Sequence, residues 1–508
     1  MRLRPGCVSR IGTLLLASAL SLWHPAGRAA EKTGIVPPAP GEFLDNIPYR
    51  EFIDFMEPPP PGPVFDIRNY HAVGDGKTVN TAAIRAAVLA ARARGGGTVL
   101  VAGGDFVTGT IRLESRITLH VAADAVLRAS RNRADYDPPS LIWCEQAEHV
   151  VIEGPGKILG EGENWWNPPR KTPPRTPPDT FVLKEAMAMH FDAKRTRLPD
   201  RPSPFLRLIG STDLKVRNLR IENSPGWTLM IDRCRRVEVQ GVVIHNNYHG
   251  GNTDGIDVCA SSHVDINRCF VATGDDGIVL KNGYSKDRNQ AMSDIRVTDC
   301  TVMSSTNCFK IGTETANDIR DVRVSDCRFF VEGIWPGGLS GIAIESVDGA
   351  RVSRVDVENI TMSNIMAPIF IRLGSRNRGK SADERGRLQE VRIRGVKATG
   401  VEFPCTLSGI PGAPLENIRL SDIDIRYRDA GELLEIRNPV PEQEKEYPEF
   451  AMFGDLPAYA LWARHVNGLQ VRNFKAVPRT GNRRAKFVWN DVFSLKLFKT
   501  DPTGPDHR

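Results

Sequence analysis

The 508-residue chain has no pair of cysteines spaced as CxxC, so no structural zinc site is expected. It has no GxxxxGK[ST] loop to cradle a nucleotide phosphate and no G-x-S-x-G elbow to present a nucleophilic serine. It has no metal-ligand cluster, and no cofactor is expected. Only one apolar run stands out, residues 11–23, and it is too short to span a bilayer. Neither sign of charge dominates: 67 Lys and Arg against 61 Asp and Glu leave +6, ordinary surface charge or a weak attraction to a polyanion. No nucleic-acid partner is expected. After Arg94 there is no convincing helical periodicity.

At the N-terminus, Arg2, Arg4 and Arg10 precede the apolar run, and AGRAA (residues 26–30) offers small residues for cleavage. Residues 1–30 are therefore expected to be a signal peptide and the protein to be secreted or periplasmic. Residues 31–63 are Pro-rich and read as a lead-in without packing of its own. Residues 64–498 read as one domain, with 430–498 forming either further coils or a flap. Residues 499–508 read as a tail. A monomer is expected.

Within the domain, Asn80 and Thr81 precede an Ala-rich run over 82–94 closed by three glycines, which predicts one helix. Strands follow at 98–101, 110–113 and 117–121. A single helix ahead of so many strands is expected to cap the open end of a β-structure. Short strand patterns then recur: VRNLRIENSP from Val216, VEVQGVVIHNN from Val237, VDINRCFVATG from Val264, IRVTDCTVMSS from Ile295 and VRVSDCRFFVE from Val322. Further copies start at Val355, Val391 and Ile418. Self-similarity at such a period marks a solenoid, and its β-x-β unit predicts an all-β, right-handed parallel β-helix. Cys269, Cys300 and Cys327 occupy one position of successive copies. They are expected to stack inward as free thiols.

The acidic residues concentrate in NTDGIDVCASSHVDINRCFVATGDDGIVLK, residues 252–281. Registering the strands puts Asp254, Asp276, Asn307 and Ser340 in one row. Ile256, Ile278, Phe309 and Ile342 then point inward, and Asp257, Val279, Lys310 and Ala343 outward. Asp275 and Asp276 would face opposite ways in a regular strand. Gly274 and Gly277 make a bend plausible that brings both to one face. Crowded carboxylates cannot all ionise at once, which provides an acid and a base together, as glycosidic hydrolysis requires. Trp165, Trp166 and Trp227 are candidates for stacking on sugars or for packing.

NTDGID (252–257) and GDDGIVLK (274–281) resemble the two acidic signatures of glycoside hydrolase family 28, the polygalacturonases and rhamnogalacturonan hydrolases. GPGKILGEGENWW (154–166) and NSPGWTL (223–229) are similar to the family in style. The resemblance covers about residues 65–375 and implies a pectin-lyase-like β-helix and a pectic polysaccharide or oligosaccharide as substrate. It implies Asp275 as general acid, with Asp254 and Asp276 holding and deprotonating the water. Two features depart from the family. Thr306-Asn307-Cys308 stands where polygalacturonases carry Gly-His-Gly, and Ala343-Ile344-Glu345 where they carry Arg-Ile-Lys. Lys310 and Arg372 are candidates to restore the missing cations, and Glu345 and Arg372 alternatively form a cross-coil ion pair. Asn252, Lys281, Asn307, Lys310, Glu314, Glu345 and Arg372 are the candidate substrate contacts. A rhamnogalacturonan-type linkage is the alternative substrate, and a catalytically silent carbohydrate-binding β-helix the alternative of another class. His249 is expected to be a loop residue, and the insertions at 167–204 and 376–387 are candidates to close the cleft.

Overall fold

The computed structural model describes residues 49–56, 62–172, 174, 176–283, 290–376, 378 and 385–500. The expected signal peptide, most of the lead-in, residues 501–508 and part of the 376–387 insertion lie outside the described residues.

Nearly every strand pairs in parallel with the strand one coil further on, so the chain winds a right-handed parallel β-helix. The repeat register follows directly. Val237 pairs with Val264, Val264 with Ile295, Ile295 with Val322, Val322 with Val355, Val355 with Val391 and Val391 with Ile418. The first copy differs by two residues, because Leu214, not Val216, pairs with Val237. Strand side chains alternate faces, so a slip of two leaves the same residues inward and the apolar pattern cannot detect it.

Helix α1, Tyr49–Phe52, is a departure from the expected unpacked lead-in. Ile53 is buried, the Phe52 ring meets Phe270 edge-on at 5.7 Å, and the Asp54 backbone N–H donates to Asn218 Oδ1. Tyr49, Phe52 and Ile53 pack against the core and outweigh the prolines that follow. Helix α2, Thr81–Ala93, caps the N-terminal coil by burying Ile84, Ala87, Val88 and Ala91. Asn80 does not cap it through its side chain, which instead donates to the carbonyls of Val73 and Thr78. A second long helix, α3, Leu183–Ala193, lies in the 167–204 insertion and was not expected. Its signal is Leu183, Ala186, His190 and Ala193, all buried along one helical stripe.

At the C-terminal end the two expectations divide. Ala458–Val477 and Ala485–Phe493 add coils, while residues 430–456 form a flap outside them. Inside the helix, Ile256, Ile278, Phe309, Ile342 and Ile369 stack in one fully buried row. Cys269, Cys300 and Cys327 are buried free thiols, and each Sγ donates to a backbone carbonyl. Among the described residues no helix is long and apolar enough to cross a membrane.

Candidate active site

The site is built on consecutive coils. Ile256 pairs with Ile278, Ile278 with Phe309 and Phe309 with Ile342, which puts Asp254, Asp276, Asn307 and Ser340 in line two residues ahead of these apolar positions. The chain does bend at Asp275-Asp276. Both carboxylates reach one hydroxyl: Thr306 Oγ1 lies 3.2 Å from Asp275 Oδ1 and 2.9 Å from Asp276 Oδ1. The flanking glycines are needed for close approach. A Cβ on Gly274 would stand 2.4 Å from the Gly250 carbonyl, and one on Gly277 2.6 Å from the Cys308 carbonyl.

Each carboxylate has its own cation. Lys281 Nζ stands 3.0 Å from Asp254 Oδ2 and 2.6 Å from Asp257 Oδ1, with the Trp227 ring centroid 3.7 Å away. Lys310 Nζ lies 3.4 Å from Asp276 Oδ2 and 3.9 Å from Glu345 Oε1. Lys194, at the end of α3, lies 3.5 Å from Asp275 Oδ2. Asn252 Nδ2 donates to Asp275 Oδ2 at 3.4 Å, while Asn252 Oδ1 accepts from Arg197 Nη1 at 2.9 Å.

The environments push the carboxyls apart. Burial raises Asp254 well above the usual range, and the neighbouring aspartates add to this, although Lys281 opposes it. Burial likewise lifts Asp257 to about 6. Burial alone would also raise Asp276. Lys310, Lys281 and the side-chain bonds from Asn307 and Thr306 outweigh it and hold that carboxyl below its ordinary range. Asp276 is thus an ionised acceptor beside Asp254, which tends to keep its proton. Asp275 is the open member, with 20% side-chain exposure against 9% for Asp276 and 4% for Asp254.

Several candidate contacts are spent on other partners. Lys281 and Lys310 are buried against the carboxylates just named. Glu345 and Arg372 are ladder neighbours, yet they form no ion pair with each other among the described contacts. Glu345 is fully buried and turns to Lys310, while burial drives its carboxyl well up. Arg372 is 1% exposed and donates to Ser408 Oγ and to the carbonyls of Gly409, Glu442 and Gln443. It fastens the flap. Glu314 is half-buried and faces Arg378 at 3.3 Å. Trp165 and Trp166 are buried, so they pack. His249 sits in a loop, its carbonyl accepting from the Arg195 backbone. Burial, with Arg195 and Lys194 nearby, pushes it down to about 3, so it is neutral near pH 7.

Sequence reasoning missed Thr306, Lys194, Tyr447 and Glu449. Tyr447 accepts from Thr313 Oγ1 at 3.0 Å and has Lys310 5.6 Å from its ring centroid. Burial pushes Glu449 up, offset by Lys310, and Asp276 and Lys194 also act on it. Among the described residues no group of His, Cys, Asp and Glu could hold a metal ion.

The sequence profile of glycosyl hydrolases family 28 matches residues 95–443. A probable polygalacturonase of Vitis vinifera is 26% identical over 391 residues, covering 70% of this chain and 73% of that protein. A polygalacturonase of Cryptomeria japonica is 27% identical over 384 residues, covering 72% and 67%. Among solved structures, a hyperthermoactive exopolygalacturonase from Thermotoga maritima superposes with TM-score 0.59 at 22% identity, covering 76% of this chain and 92% of that one.

Proposed function

This chain belongs to glycosyl hydrolase family 28 and is an O-glycosyl hydrolase, and we propose that it cuts glycosidic bonds in pectic polysaccharide with inversion at the anomeric carbon. The observation that carries this is the set of three adjacent carboxyls in three environments. Asp275, open to the cleft, protonates the leaving oxygen. Asp276, kept ionised by Lys310, takes a proton from the attacking water. Asp254 orients that water from the preceding coil, tied to Lys281. Inverting hydrolysis asks for an acid that protonates the leaving oxygen and a base that activates a water.

A rhamnogalacturonan-type or other unusual pectic linkage is the second reading. It is favoured by the coil after Lys310. There Ala343 and Glu345 are both fully buried, so this coil offers no cation to a galacturonate carboxylate. Release of reducing ends from polygalacturonate, rhamnogalacturonan backbone and branched pectin separates the two. Release from none of them would leave the silent binding module. Crowding three carboxyls is costly for a protein that only binds, which speaks against that module. The basic, apolar and small-residue order of residues 1–30 supports export to the substrate, and we propose that the enzyme acts there as a monomer.

A further inference from the structure

The outward row of the catalytic strands continues on both sides of the site, and its two sides differ. Towards the C-terminus, Lys310 pairs with Ala343, Ala343 with Phe370, Phe370 with Thr406 and Thr406 with Trp462. In an open groove these side chains would meet solvent or sugar. Here Ala343, Phe370, Thr406 and Trp462 are all at 0% exposure. They lie beneath Phe181 and Leu183 of the 167–204 insertion and Phe450 and Phe453 of the flap.

The two covers are joined to each other. The Gly431 N–H donates to the Asp179 carbonyl at 2.8 Å and the Leu433 N–H to the Phe181 carbonyl at 3.1 Å. Arg428 Nη1 donates to the Pro178 carbonyl, and the Arg479 guanidinium lies 4.8 Å from the Phe181 ring centroid. A packed wall therefore begins one coil beyond Lys310, or about 4.8 Å, which is less than a sugar residue needs to pass.

Towards the N-terminus the row runs through Asp257 and Met230, both buried, and opens at Arg207, Trp143 and Arg112. Arg112 is exposed, and Arg207 and Trp143 are half-buried. The Arg207 guanidinium lies 5.0 Å from the Trp143 ring centroid. An aromatic face beside a cation suits a sugar ring that bears a carboxylate.

We propose that the cleft is a pocket closed on its C-terminal side, so that the enzyme removes sugars from one end of a polymer whose continuing chain crosses Arg207 and Trp143. This rests on the pectic hydrolase reading above. The wall is tested by digesting polygalacturonate and rhamnogalacturonan with the wild-type protein while following viscosity and product size. The expected result is one short product from the earliest times, with viscosity largely retained. A ladder of random fragments with early collapse of viscosity would overturn the wall and leave the hydrolase standing. Hydrolysis of neither polymer, nor of branched pectin, would overturn the pectic reading and this inference together. For the platform, Trp143→Ala and Arg207→Gln should each raise KM for the polymer roughly 5-fold with kcat unchanged. KM for the shortest cleavable oligosaccharide should not move. Unchanged KM on both substrates would overturn the platform.

Discussion

Lys310 reaches across neighbouring coils to stand 3.4 Å from Asp276, with both side chains buried. The ammonium favours the ionised form of Asp276. It is the largest of the influences that hold Asp276 down, with Lys281, Asn307 and Thr306 beside it, whereas burial of Asp254 outweighs its own lysine.

Lys310→Met is therefore expected to move the acidic limb of the kcat–pH profile upward by about one unit or more, because Asp276 then loses its proton later. The same change leaves Glu345 buried without its cation. Stability should fall by about 3–5 kcal/mol. The double variant Lys310→Met with Glu345→Gln should recover part of the stability by urea titration and keep the shifted limb.

Asp275→Asn and Asp276→Asn should each lower kcat on the active substrate, on the order of 10³-fold. Melting temperatures should stay near wild type for Asp275→Asn, whose side chain is partly exposed. Steady-state rates and thermal unfolding check both statements.

Asp257 contributes a pH dependence of opposite sign to the usual carboxylate. Its folded value is lifted from 3.8 to about 6, first by burial. The folded state thus binds more protons than the unfolded state between those values, and the stability this provides is lost as pH rises from about 4 to about 6. Asp257→Asn removes that titration. Across this window wild type should lose on the order of 2 kcal/mol relative to the variant, read by urea unfolding at each pH.

Burial pushes the Cys144 thiol up to about 11 and those of Cys234, Cys308 and Cys405 up to about 12. Native protein at pH 8 should react with thiol reagents at none of the eight cysteines from Cys144 to Cys405, which are all buried and free. All eight should react in urea.

The part of this architecture that repeats was legible in the sequence. The row of Asp254, Asp276, Asn307 and Ser340 follows from apolar positions that must face one core, and the structure keeps it. The two-residue slip at Val216 shows the limit of that signal, since period two cannot distinguish registers that differ by two. Lys194, Tyr447 and Glu449 were not legible. Their segments reach the site because Phe181 and Phe450 belong to one apolar cluster and the flap is pinned by Arg372, contacts between distant parts of the chain. Arg372 shows the converse. It reads as an outward cation one coil from Glu345, but the flap carbonyls claim it.

Inversion requires water to attack the sugar from the side opposite Asp275. Proton NMR of the first product formed, recorded before mutarotation, tests this most directly. Inversion predicts that the new reducing end appears first as the anomer opposite to the linkage cleaved. First appearance of the same anomer as the linkage would contradict the roles given to Asp254, Asp275 and Asp276.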